Sequence, residues 1–159
     1  MDLNVKSSRA EIARILEALE TTPRRLEELS AGKSDAALHK AADPKGWSAA
    51  ENLAHLRACA DVWTHSMYAM LAEKNPRLAD INERKWAKVT GYAELPFERA
   101  LKTFALQREE LLNVLRALTA EDWERAAMIA GRRHTVFTQA RRMAKHEARH
   151  LEQVASTLG

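Results

Sequence analysis

One cysteine, Cys59, is all the thiol this chain of 159 residues contains. An internal disulfide is excluded, and the usage fits a reducing compartment. Proline and glycine are also scarce, at 4 and 5 residues, so a turn-rich all-β architecture is disfavoured. No apolar run approaches the roughly 18–20 residues needed to span a bilayer. The opening stretch MDLNVKSSRAEIARIL turns charged too soon to read as a signal peptide. These absences predict a cytoplasmic protein without a membrane segment. Charge of one sign is lacking too, since 25 basic residues face 22 acidic ones. The most basic run, GRRHTVFTQARR (131–142), reads as a solvated helix start, and nucleic acid is not an expected partner.

What remains is rich in Ala, Leu, Glu and Arg, which favours helix. The length suits one domain, taken as residues 1–159. Four amphipathic patterns dominate. The first covers roughly 7–20, with Ile12, Ile15, Leu16 and Leu19 inward. Thr22 and Pro23 then read as cap and first turn of a continuation carrying Leu26 and Leu29. Residues 33–46 form a connector with about one helical turn. Ser48 and Glu51 spell S-x-x-E, a capping box that opens the second helix. Leu53, Leu56, Ala60, Trp63, Met67 and Met70 follow at intervals of three and four, and the helix should end near Asn75-Pro76.

Residues 75–94 are long for a bundle connection and predict a crossover or a lid, with Trp86 and Tyr92 either at a pocket mouth or packing the bundle's end. Pro96 opens the third helix, whose stripe of Phe97, Leu101, Phe104, Arg108, Leu111, Leu115 and Leu118 contains one charge. Thr119 and Asp122 cap a short turn holding Trp123, and Thr135 caps the fourth helix. No segment alternates long enough to read as a strand. The fold class is therefore all-α, a four-helix bundle with a long crossover between its second and third helices.

Histidine placement carries the chemistry. On a wheel of about 100° per residue, His55 falls inside the apolar arc of the second helix and His65 outside it. On the fourth helix His146 and His150 flank the apolar arc, while Glu147 sits in its middle. KHEARHLEQ (145–153) is formally H-E-x-x-H, the spelling of a zinc protease helix. A protease reading fails, because the residues after His150 offer Glu152 as their one ionisable side chain and no strand is available to hold a peptide. Two imidazoles at i and i+4 can instead share one divalent ion, with His55 as the natural third ligand. Three ordinary surface or hydrogen-bonded histidines are the competing reading.

GWSAAENLAHL (46–56) taken with KHEARHLEQ resembles the DinB-like superfamily of four-helix-bundle metal-dependent enzymes. The matching positions are Trp47, Ser48, His55, His146, His150, Leu151 and Gln153. The likeness extends to the crossover and to Arg108, midway along the third helix. It implies a divalent ion, commonly nickel or zinc, on His55, His146 and His150, and frequent homodimers. It also implies a small-molecule substrate and transfer of a low-molecular-weight thiol such as bacillithiol or mycothiol, with metal-dependent hydrolysis or a non-catalytic stress-response bundle as the alternatives.

Glu51, Gln153 and Arg108 are the candidate catalytic residues. Glu51 has a competing role in the cap, and Gln153 could orient His150 or touch substrate. Cys59, one turn after His55, reads as a small buried hydrophobe more readily than as a ligand. Arg108 and Glu147 each interrupt an apolar stripe, and each would be costly to bury alone. They are therefore expected to pair.

Overall fold

The computed structural model describes residues 7–159. Four long helices form the bundle: α1 (Arg9–Ser30), α3 (Ala49–Ala72), α5 (Phe97–Arg116) and α7 (Val136–Leu158). Short helices α2 (Asp35–Leu38), α4 (Glu83–Thr90) and α6 (Ala120–Glu124) lie in the connections. α1 and α3 each pack against both α5 and α7. Among the described residues no helix is long and apolar enough to cross a membrane.

The helix starts follow their caps. The Ser48 hydroxyl accepts from Glu51 N, and the Glu51 carboxylate accepts from Ser48 N, closing the box that opens α3. Thr119 with Asp122 starts α6 in the same way, and Thr135 with Thr138 starts α7. Pro23 departs from expectation. It lies inside a continuous α1, and no new helix is capped there. Thr22 is not a cap; its hydroxyl donates back to the Ala18 carbonyl at 3.0 Å. Leu19, Thr22 and Leu26 are buried around the proline, so packing holds the helix together where local propensity would break it.

A second departure is a small sheet. β1 (Arg77–Leu78) pairs in parallel with β2 (Ala126–Ile129), which pairs antiparallel with β3 (Arg132–Thr135). Arg132, Arg133 and His134 are therefore strand residues, ahead of the helix start that their basic run suggests. The β2–β3 turn is Ala130-Gly131, with φ of 48° and 76°. Two consecutive left-handed residues are what a tight hairpin requires, but alanine is a poor advertisement for that conformation. Four-residue strands also leave no periodicity to read.

The core divides into two apolar clusters. One gathers Leu19, Trp63, Met67, Leu111, Phe137 and Met143. The other gathers Leu26, Leu53, Leu56, Phe97, Phe104 and Val154. Between them, at one level along the axis, sit Thr22, Arg108 and Glu147, all buried. Arg108 Nη2 bonds the Glu147 carboxylate, and its Nη1 reaches Met143 Sδ at 2.9 Å. Burial pushes the Glu147 carboxyl upward in pKa, and Arg108 and the Thr22 hydroxyl pull it back. The expected pair is thus present and buried, at the bundle's waist.

Breaking such a pair leaves one buried charge, at a cost of about 3–5 kcal/mol, whereas replacing both partners by apolar residues of similar size is often near neutral. Arg108→Met or Glu147→Leu alone should therefore lower stability in urea titrations by that order, and the double variant by less than either. Two neutral single variants would show that the pair has no structural weight.

Candidate metal centre

α3 and α7 bring their histidines together in a cluster that includes neither Arg108 nor Glu147. His55 Nε2 and His150 Nε2 each lie 3.2 Å from His146 Nε2. One ligand atom from each ring falls within a 4.8 Å span. Three nitrogens bound tetrahedrally at about 2.0–2.1 Å from one ion stand about 3.3 Å apart, so the spacing matches a shared cation.

Hydrogen bonding fixes which lone pair points inward. Asn52 Nδ2 donates to the Ser48 carbonyl at 2.9 Å, which turns its Oδ1 towards His150. His150 Nδ1 then donates to that oxygen at 2.8 Å. The proton sits on Nδ1, and Nε2 is left as a bare acceptor facing the other rings. Among the described residues His146 Nδ1 is buried without a partner, so neither tautomer of His146 has both its nitrogens satisfied by them. An ion would take the three inward Nε2 lone pairs, which otherwise face one another at 3.2 Å. The donor set fits a divalent transition metal such as zinc or nickel.

The rings are also kept neutral. Burial, then the neighbouring rings and Arg149, push His146 down to about 3. Burial, His55 and the two arginines Arg149 and Arg84 bring His150 to about 4. Burial lowers His55 as well. Metal binding needs unprotonated imidazole, and this cluster supplies it well below neutral pH.

Aromatic walls surround the three rings. Trp47 stands 5.1 Å from His55 edge-on and 5.9 Å from His150 nearly parallel, centroid to centroid. Trp63 meets the His146 ring edge-on at 5.0 Å. Its Nε1 donates to Glu83 at 2.7 Å, and Glu83 also receives Arg142 at 3.3 Å. The histidines open into a pocket of about 800 Å³ bordered by Trp47, Asn52, Arg84, Arg149, Glu152 and Gln153 among others. This is the size of a small-molecule site. A larger groove of about 1070 Å³ between α1 and α5 has side chains of both charge signs but neither histidine nor cysteine, so the smaller pocket is the candidate site.

The other candidates divide. Gln153 borders the pocket, and its side chain pulls the His150 pKa slightly upward. Glu51 is exposed and held in the α3 cap. Arg108 points to Glu147 and lies outside the pocket. Cys59 is buried with its sulfur 3.6 Å from His55 Nε2, and burial raises its thiol pKa. Trp86 and Tyr92 do not line the pocket. Both donate to Asp61, at 3.1 and 2.7 Å, and Arg57 covers the Tyr92 ring. Three contributors escape a reading of the sequence: Asn52, Arg84 and Arg149. Asn52 was legible in principle, as a polar residue within the apolar run of α3, one turn after Ser48.

A family model described as the DinB superfamily matches residues 18–154. Among solved structures, the chain is similar to YfiT from Bacillus subtilis, described as a probable metal-dependent hydrolase with an unusual four-helix bundle topology. Sequence identity is 17% and the TM-score 0.84, over 99% of this chain and 91% of that one. No curated protein matches the chain.

If Asn52 sets the His150 tautomer, Asn52→Ala should weaken zinc affinity about 10–100-fold, measured by competition with a chromophoric chelator, while circular dichroism stays unchanged. The pKa shifts give a second expectation. His146 and His150, at about 3 and 4, take up almost no protons at pH 6, and burial disfavours protonation of His55 as well, so zinc affinity should fall much less between pH 8 and about pH 5 than ordinary imidazoles would allow. Steep loss beginning near pH 6.5 would mean that the rings titrate as ordinary histidines.

Proposed function

This chain belongs to the DinB superfamily, and we propose that it is a metal-dependent enzyme whose divalent ion is held by His55, His146 and His150 and which transfers a low-molecular-weight thiol to an electrophilic small molecule. The observation that supports it is the convergence of three neutral Nε2 atoms, one with its tautomer locked by Asn52, at the floor of an open pocket. Held on three uncharged ligands, a divalent ion keeps its full charge and would draw a thiol towards thiolate, the reactive form, in its open position.

The surrounding residues hold that arrangement. Asn52 keeps the His150 lone pair inward. Trp47 and Trp63 limit how the rings can turn and keep water off two sides of the cluster. Glu83 anchors Trp63 from the crossover. Neither Glu51 nor Glu147 reaches the pocket, since one closes a cap and the other pairs with Arg108. A thiol, far more acidic than water, needs no positioned base to be deprotonated at a cation, which is why thiol transfer leads. Hydrolysis is the second reading. It is favoured by the description of YfiT and by Glu152 on the pocket rim, where a carboxylate could serve an attacking water.

Zinc- or nickel-loaded protein should accelerate conjugation of 1-chloro-2,4-dinitrobenzene to bacillithiol, mycothiol or glutathione, and His150→Ala should abolish the acceleration. Turnover of p-nitrophenyl esters without thiol, equally lost in that variant, would transfer the assignment to hydrolysis. Absence of both with metal bound would leave a binding protein.

A further inference from the structure

Two guanidinium groups stand at the mouth of the histidine pocket. Arg84 comes from α4 in the crossover, and its guanidinium carbon lies 5.4 Å from the Trp47 ring centroid. Arg149 comes from α7, between the two ligand histidines of that helix. Both border the pocket, both are exposed, and among the described residues neither enters an ion pair.

The acids nearby do not cancel them. Glu83 is held by Trp63 and Arg142. Glu152 lies on the rim one turn beyond Arg149, yet it makes no ion pair with it. Cationic side chains beside a cation site oppose the ion they neighbour. A site built only to hold a metal would be served better by carboxylates in those positions. The positive field becomes favourable once an anion enters, because metal and arginines then act on it together in a partly enclosed space.

We propose that this pocket takes a small organic anion, a carboxylate or phosphate monoester, whose charged group is held by Arg84 and Arg149 beside Trp47 while the rest of the molecule faces the three histidines. The inference rests on the proposed metal reading for its chemistry, but the two arginines attract the anion with or without the ion. Arg84 makes the crossover a determinant of specificity. It brings a charge to a pocket whose floor belongs wholly to α3 and α7.

Calorimetric titration with benzoate, phenyl phosphate and neutral benzamide, on metal-free and zinc-loaded protein, tests this. Benzoate or phenyl phosphate should bind both forms, more tightly with zinc, and benzamide should bind at least about tenfold more weakly. The preference between the two anions identifies the charged group. Arg84→Met combined with Arg149→Met should weaken anion binding by about tenfold or more. Zinc binding in that variant should hold or tighten, since two repelling charges are gone. Equal binding of benzamide, or undiminished benzoate binding by the double variant, overturns the proposal. The two readings fail separately. Arginine-dependent benzoate binding by a protein that retains no zinc would leave the anion site standing without the metal. Zinc retention without arginine-dependent binding would do the reverse.

Discussion

The buried contact between Arg108 and Glu147 constrains everything on the fourth helix. Glu147 has one basic partner, and that partner comes from α5. Satisfying it sets the rotation of α7 about its own axis. His146 and His150, within about 40° of one another on the wheel and roughly 100° or less from Glu147, are then carried round to α3, where His55 waits. A rotated α7 would leave the carboxylate buried without its partner, at several kcal/mol. The ion pair adds little net stability compared with an apolar replacement. Its effect is to make one orientation of the helix far better than its neighbours.

The same contact explains why H-E-x-x-H here is not the motif of a protease. In that motif the glutamate must share the metal's face with the histidines. The spacing allows it, and nothing in the spelling forbids it. What decides is Arg108, some forty positions upstream, which draws the carboxylate off the histidines' face and towards α5. A short motif reports which residues are near one another along a helix; the partner helix determines the direction in which each one is used.

Much of this was legible because it repeats or is local. The four helices announce themselves through apolar spacing, and Ser48, Thr119 and Thr135 mark starts that the capping bonds bear out. The inward turn of His55 and the outward turn of His65 follow from the wheel alone. The pairing of Arg108 with Glu147 could be inferred because two isolated charges on apolar stripes have few other resolutions. The parts that escaped depend on tertiary context. Pro23 stays within α1 because Leu19 and Leu26 are buried on either side of it. The sheet is built from strands too short to show a period, turned by an Ala-Gly pair. Asn52 looked like an ordinary polar residue near a helix start until the His150 ring appeared beside it.

Arg84 was the least accessible of these, for a reason that also bears on how the site works. α4 buries no residue fully, so no hydrophobic pattern records where it docks. It is held instead by polar and aromatic contacts, Trp86 on Asp61 and Glu83 on Trp63 and Arg142, with Tyr92 just beyond the helix also on Asp61. Apart from Glu83, whose partner Trp63 belongs to a core cluster, these contacts lie outside the core, and substitutions at the exposed positions of α4 would cost little of the bundle's stability. The histidine-bearing helices have no such freedom, since each carries core residues on the face next to its histidines. Under the proposed function, the metal site would sit on the helices least free to change, while one of the two arginines at the pocket mouth, Arg84, sits on a segment that can.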